Sequence, residues 1–172
     1  LTFTEIHITA GRHGDTLSVD TLRTMVAGGS VSGEGAVITS NRLRGDAALL
    51  LESVRMDQIS GILQGRRKSL EGSVSGSLRA GFSGDSWREW SAEARLSADN
   101  LSYGNRMLDK AELLAGYEDR QLSIDLRHQD ADLKMEVFLG DSALEGSMRA
   151  DIGRLELLSA LIGRDEFRGS AQ

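Results

Sequence analysis

Residues 69–84 read SLEGSVSGSLRAGFSG, and the two parities of this stretch differ in kind. Leu70, Gly72, Val74, Gly76, Leu78, Ala80 and Phe82 carry neither charge nor hydroxyl. Glu71, Ser73, Ser75, Ser77, Arg79, Gly81 and Ser83 are almost wholly polar. A period of two is the period of a β-strand, because successive side chains leave opposite faces. The stretch therefore predicts a long strand with one apolar and one wet face.

Much of the chain repeats this pattern. Residues 1–10 are strand-like, but Leu1 and Phe3 share one parity and Ile6 and Ile8 the other, which predicts a bulge near Glu5. Residues 11–15 read as a turn, and residues 16–24 carry Leu17, Val19 and Leu22. Gly28 and Gly29 break that run. Val31, Gly33, Gly35 and Val37 then alternate, followed by a turn at Ser40-Asn41 and by Leu43, Gly45, Ala47, Leu49 and Leu51.

The period changes over residues 54–64, where Met56, Ile59, Ile62 and Leu63 fall at helical spacings. Arg66, Arg67 and Lys68 follow Gly65 at the end of that predicted short helix, where cations suit the dipole. After residues 69–84, residues 85–89 predict a loop or one helical turn. Alternation resumes with Trp90, Ala92, Ala94, Leu96 and Ala98, and Leu101 and Tyr103 precede a turn at Gly104-Asn105. It continues with Ala111, Leu113, Ala115 and Tyr117, then Leu122, Ile124 and Leu126, then Ala131, Leu133, Met135, Val137 and Leu139. Leu144, Gly146, Met148 and Ala150 close the series. Residues 151–162 again have helical spacing, and Phe167-Arg-Gly-Ser opens a further strand.

An internal repeat runs through these segments. Ala10-Gly11 and Leu17-Ser-Val-Asp match Ala115-Gly116 and Leu122-Ser-Ile-Asp at an offset of 105 residues. Leu43-Arg-Gly matches Leu144-Glu-Gly, Ile59-Ser-Gly-Ile-Leu matches Leu158-Ser-Ala-Leu-Ile, and Leu70-Glu-Gly-Ser matches Phe167-Arg-Gly-Ser. The order is kept along the chain while the offset drifts. The expected organisation is a single elongated piece, 1–172, of a larger repetitive protein. It holds about 1.7 copies of a unit of about 100 residues, approximately 1–105 and 106–172.

Composition narrows the chemistry. Proline is absent, where an average chain of this length carries roughly eight. That suits a chain of paired strands, in which proline would remove ladder bonds. Cysteine is absent too, which removes disulfides and thiolate sites. A net charge of -6 argues against nucleic acid. His7, His13 and His128 are scattered, and Asp130 and Asp132 suit a solvated strand face, so no metal site is expected. Arg44-Gly45-Asp46 reads as a chance match to an adhesion tripeptide. Serines are many, but none has an assignable base, so no catalytic residue, no cofactor and no enzymatic activity are expected. A transmembrane barrel shares the alternation, yet calls for aromatic girdles and bulky lipid-facing side chains. Here aromatics make up 5% of the chain and the apolar parity carries many Gly and Ala.

About ten antiparallel strands spaced about 4.8 Å apart make a sheet about 48 Å long. Two outcomes stay open: a sandwich that packs the apolar face on itself, or a curled trough that leaves it open to a guest. The small residues Gly33, Gly35, Gly72, Gly76, Ala80, Ala92, Ala94 and Ala98 suggest room for a guest on that face.

The chain resembles the AsmA/TamB superfamily of Gram-negative envelope proteins. Three features carry the resemblance. One is the predicted helix Met56-Asp-Gln-Ile-Ser-Gly-Ile-Leu running into Leu70-Glu-Gly-Ser-Val-Ser-Gly-Ser-Leu. Another is its second copy, Leu155-Glu-Leu-Leu-Ser-Ala-Leu-Ile followed by Phe167-Arg-Gly-Ser. The last is the run of Leu-x-Gly strands with few aromatics.

The resemblance implies a mainly β fold: a long curled antiparallel sheet forming an open apolar groove, with one short helix per repeat. It implies a periplasmic protein anchored in the inner membrane that carries phospholipid acyl chains between membranes. It also implies help in outer-membrane protein assembly through a TamA-like barrel partner. The groove would then be lined by Leu43, Ala47, Leu49, Leu51, Leu70, Val74, Leu78, Phe82 and Leu96. Further along it would be lined by Leu122, Ile124, Leu126, Leu133, Met135, Val137 and Leu139. The alternative is a scaffold or chaperone-like module that binds β-strands of outer-membrane clients by strand addition.

Overall fold

The computed structural model describes residues 3–40, 42–58, 70–84, 86–103, 106–129, 131–140 and 144–152. Alternation becomes strand almost everywhere it occurs. In chain order the strands are β1 (Phe3–His13), β2 (Thr16–Val26), β3 (Gly29–Ile38), β4 (Arg44–Arg55) and β5 (Leu70–Ser83). They continue as β6 (Trp90–Tyr103), β7 (Arg106–Glu118), β8 (Gln121–His128), β9 (Ala131–Leu139) and β10 (Leu144–Ile152). All ten form one open antiparallel sheet in sequence order, with β1 and β10 at its edges. Among the described residues there is no second sheet, and every substantial strand contact is between sequence neighbours. The sandwich is thereby set aside for these residues.

On one face the register sets apolar residues opposite apolar ones across most of the sheet, with Arg12 opposite Leu17 an exception. One cross-strand row runs Ile8, Leu22, Gly33, Leu49, Leu78 and continues through Ala94, Ala115, Ile124, Met135 and Met148, one residue from each strand. The adjacent row on the other face includes Arg23, Ser32, Ser77, Arg95, Asp125 and Lys134. A one-residue slip in any ladder would set a strand's apolar residues among the charged and hydroxyl side chains of the other face and break the apolar rows.

Bulges with left-handed residues gather at one end of the sheet, where the apolar face is buried, while a further irregularity lies mid-sheet in β2 between Val19 and Leu22. Glu5, Ser53, Asn100 and Asp109 all have left-handed backbones, with φ of 54°, 53°, 53° and 48°. Each lies at or beside a register shift. The bulge at Glu5 is where the parity change predicts it. At Ser53 the extra residue turns Val54 back onto the face of Leu51, and the Ser53 N–H donates to Ser75 Oγ at 2.9 Å. Val54 is 1% exposed and packs with Val26 and Ala27, flanked by Val31 and Leu51. The Arg55 N–H closes this corner on the Ala27 carbonyl at 3.0 Å. Past the Asn100 bulge, Leu101 is buried in the same way, at 8% exposed.

Several boundaries differ from expectation. β1 continues through Gly11, Arg12 and His13, paired to Ser18, Leu17 and Thr16, so the turn is only Gly14-Asp15. The next turn is Ala27-Gly28, and Gly29 already belongs to β3. Val54 and Arg55 complete β4 rather than start a helix. Helical backbone is seen at Met56, Asp57 and Gln58, and the remainder of the predicted helix, 59–64, lies outside the described residues. Asp151 and Ile152 end β10. The rest of the second predicted helix and Phe167-Arg-Gly-Ser also lie outside the described residues. Residues Trp87–Glu89 form one 3-10 turn, in keeping with the expectation for that segment. Strands run from 8 to 14 residues. Among the described residues no helix is long and apolar enough to cross a membrane.

The internal repeat has a structural counterpart. In the β1–β2 hairpin Ala10 faces Val19, Gly11 faces Ser18 and Arg12 faces Leu17. In the β7–β8 hairpin Ala115 faces Ile124, Gly116 faces Ser123 and Tyr117 faces Leu122. Every pair is related by the same 105 residues. The match extends further: Val37 faces Gly45 in β3–β4, and Val137 faces Gly146 in β9–β10. The likeness is confined to these pairs, since the register shifts at Thr9/Ala10 and Val19/Leu22 have no counterpart in the β7–β8 and β8–β9 ladders.

Candidate functional site

The apolar face is the candidate site, and its floor is set by residue size. Reading across the strands, Gly35, Ala47, Ala80 and Ala92 stand in one row, with Val19 before them and Tyr117 after. Ala94 and Ala115 continue the small residues in the next row. Leu49 and Leu78 rise beside them. The sheet is open rather than curled into a groove, and on this face a shallow hollow of about 340 Å³ lies over Ala47, Leu49, Leu78, Ala80, Ala92 and Ala94, reaching Ala115, Tyr117 and Leu122. The larger hollow, about 840 Å³, is on the opposite face and is lined by Glu34, Asp46, Arg79, Glu93, Glu118 and Gln121. A twisted sheet is saddle-shaped, so hollows on both faces are expected. Of these two hollows, the one on the apolar face is lined by hydrocarbon, whereas the charged one favours water.

Most of the predicted lining residues come together on this face. Ala47, Leu49 and Leu51 of β4 face Ala80, Leu78 and Gly76 of β5, and Val74 faces Val54 and Ala98. Leu70 takes a position opposite Tyr103. Leu96 faces Leu113, which faces Leu126, which faces Leu133. Ile124 and Met135 pair, as do Leu122 and Val137, and Leu139 stands opposite Leu144. Leu43 differs: it precedes β4, is exposed, and accepts the Gly84 N–H on its carbonyl at 2.6 Å. It stands at the rim rather than on the floor.

Glycine plays a different part from the one expected. A Cβ on Gly72 would meet the Asp99 and Asn100 carbonyls at 2.9 Å, and one on Gly76 would collide with the Arg95 carbonyl. Both have φ that L residues rarely adopt, 119° and 149°. These glycines let neighbouring backbones approach and do not leave a vacancy for a guest. Gly33 is overlaid by Leu49, whose Cδ2 would lie 2.5 Å from a Cβ there. The open volume comes from the alanines instead.

The floor residues Ala80, Ala92, Ala94, Ala115 and Tyr117 are visible in the alternation but are not among the predicted lining. Val54 and Leu101 are hidden from it, because the bulges at Ser53 and Asn100 shift the parity. His128 stands on the apolar face between Ala111 and Ala131, whereas Asp132 is exposed on the other face. His7 and His13 are exposed on β1. At one end of the trough Trp90 is 54% exposed and its ring centroid is 6.2 Å from that of Phe82. Arg42 and Glu89 pair beside that end. Apart from Arg12, which stands opposite Leu17 on the apolar face, the strand charges lie largely on the opposite face. There Arg127 donates Nε to Asp125 Oδ1 at 3.2 Å and an Nη to Oδ2 at 2.9 Å. These bonds, with the Arg127 and Lys134 charges, hold the Asp125 carboxyl below the usual carboxylate range. Among the described residues no cluster of three His, Asp or Glu side chains is placed to hold a metal ion.

Comparison of the chain with protein-family models, with curated proteins and with solved structures finds no match.

Proposed function

We propose that this chain is a segment of an AsmA/TamB-like envelope protein whose apolar face carries phospholipid acyl chains between membranes. One observation carries the reading: a continuous apolar face crosses all ten strands in register, and among the described residues no second layer covers it. A chain that buried this face for stability alone would pack it against something. A guest hydrocarbon gains about 0.8 kcal/mol per buried CH₂, and the gain hardly depends on where along a uniform face it lies. Such a surface holds acyl chains while letting them slide. The work is noncovalent, so the proposal assigns no catalytic residue and no cofactor. In this reading the parent is periplasmic, anchored in the inner membrane, and partnered by a TamA-like barrel at the outer membrane.

A photocrosslinking amino acid placed singly at Val74, Leu78, Ser75 or Ser77 tests it. Lipid adducts are expected from Val74 and Leu78 and not from the two serines, which share the strand but face the other way. Equal labelling from both faces, or none from either, would overturn the reading. The second reading, capture of client strands, is favoured by the two sheet edges at β1 and β10. It calls for peptide rather than lipid in the adducts.

A further inference from the structure

Between the bulge of the β6–β7 ladder and the Tyr117 row, the apolar face of β6–β9 carries one basic side chain among the described residues, that of His128. It stands in the interior of the sheet, on a strand paired on both sides. β7, β8 and β9 run without a register shift from Ala111, His128 and Ala131 to Tyr117, Leu122 and Val137. Across six strands the His128 row reads Val74, Ala98, Ala111, His128, Ala131 and Ile152, so the imidazole interrupts a row of aliphatic side chains. It is half-buried, and the alanines beside it project only a methyl group, so the ring stands above its neighbours. Glu112, Arg127 and Asp132 of the same ladders form a row on the opposite face. On the His128 side, Leu126, Ile124 and Leu122 follow along β8, opposite Leu133, Met135 and Val137.

This strip has one polar end and an apolar run of suitable length. From His128 to Leu122 is six residues, about 20 Å at the rise of a strand. The hydrocarbon of one bilayer leaflet, half of a core about 30 Å thick, is about 15 Å deep. An acyl chain laid along β8 therefore fits the strip with the polar end of its lipid at His128. An imidazole N–H donates to a phosphate oxygen in either protonation state of the ring. The net charge of -6 offers anions no general attraction, so a phosphate on this face needs a local donor. We infer that His128 is the headgroup contact for a phospholipid lying along β8, its phosphate at the imidazole and one acyl chain over Leu126, Ile124 and Leu122. This rests on the acyl-chain reading above and adds a place and a direction to it: chains slide across the sheet, and the phosphate pauses at β8.

Two probes with the same fluorescent tails, phosphatidylglycerol and uncharged diacylglycerol, are titrated into the full chain and into its His128→Phe and His128→Lys variants. His128→Phe should bind phosphatidylglycerol about tenfold more weakly, the loss of one hydrogen bond to a charged group. It should bind diacylglycerol as the parent chain does, which also shows that the variant is folded. His128→Lys should restore phosphatidylglycerol binding. An equal change for both lipids, or no change for either, would overturn the inference and leave the acyl-chain reading standing. Failure of the parent chain to bind either lipid would overturn both. Inorganic phosphate should not displace the phosphatidylglycerol probe; displacement would reassign His128 to free phosphate and overturn the inference. A second readout needs no variant, because the chain has only three histidines, His7, His13 and His128. In nitrogen NMR of the histidine-labelled chain, the His128 ring signals should shift with phosphatidylglycerol and much less with diacylglycerol. Equal shifts with the two lipids, or shifts confined to His7 and His13, would overturn it.

Discussion

The Phe82 ring lies over the α-carbon of Gly45, its opposite number across the β4–β5 ladder. A Cβ on Gly45 would come within 2.6 Å of ring atom Cε1 and 2.7 Å of Cζ, and within 2.9 Å of the Ala36 carbonyl. The glycine is where the aromatic side chain rests, and Trp90 follows Phe82 on the next strand. This pairing of a bare backbone with a bulky neighbour covers the sheet where no second layer does.

Gly45→Ala should therefore destabilise the chain by about 1–3 kcal/mol, the usual cost of forced overpacking. Urea denaturation reads it. Combining Gly45→Ala with Phe82→Leu should cost less than the sum of the two single changes, because the ring is the main obstacle that can move. Strict additivity would show that the ring does not occupy the space above Gly45.

Gly76→Ala should also destabilise by about 1–3 kcal/mol, because its φ of 149° and the Arg95 carbonyl leave no room for a Cβ. Gly81→Ala, on the same strand, is the contrast. Its nearest obstacle is the Ser91 hydroxyl at 3.1 Å, a side chain that can turn. Its effect should stay within about 0.5 kcal/mol in either direction, since less freedom in the unfolded chain offsets a small local adjustment. Equal losses at the two positions would argue against the close strand approach at Gly76.

Val54→Ala should cost about 2 kcal/mol, as for other truncations in a packed cluster. Leu50→Ala, at an exposed position on the opposite face, should be nearly neutral. Thermal unfolding of the two variants decides it. A larger loss at Leu50 would mean that the sheet buries its other face.

Ala94→Phe should fill the trough and reduce uptake of a fluorescent phospholipid several-fold while leaving the unfolding midpoint close to that of the parent chain. Ser97→Phe, on the opposite face of the same strand, should leave uptake unchanged. If both substitutions act alike, the trough is not where lipid lies.

The Asp125–Arg127 pair gives a sign for pH dependence. The folded carboxyl titrates below its ordinary value. Its contribution is therefore present above the unfolded pKa and is lost as pH falls through the folded one, a window below about pH 4. Both groups face solvent, so the effect on stability is small and is screened by salt. Arg127→Gln should move the Asp125 titration midpoint up toward the ordinary carboxylate value, as followed by carbon NMR. An unmoved midpoint would show that the pair does not form in solution.

The sheet is largely legible in the chain because period-two patterning reports directly on which side of a strand meets water. The parity change in β1 even locates the bulge at Glu5. The bulge at Ser53 is not legible, for a physical reason. One extra residue between Leu51 and Val54 breaks the alternation in the same way as a change to helical period, and the helical spacing that follows favours the second interpretation. Asn100, Asp109 and Asp119 belong to residue types that tolerate left-handed backbone, a weak signal at best. Ser53, Ala27 and Arg120 offer none. The glycines mislead in another way, because composition records a missing side chain and not what a neighbour lays over it.

By itself the sequence determined most of the strands and their two faces, since both depend only on spacing along one chain. Tertiary structure decided that the ten strands form one open sheet rather than two packed ones, because that depends on which strands meet. It decided that bulges bury Val54 and Leu101 at one end. It also decided that Leu49 and Phe82 occupy the space above Gly33 and Gly45, so that the open floor is made by Ala47, Ala80, Ala92 and Ala94. The reason is the same in each case. Alternation states which way a side chain points, whereas room on a face depends on how closely the neighbouring strand approaches and how far its side chains lean across.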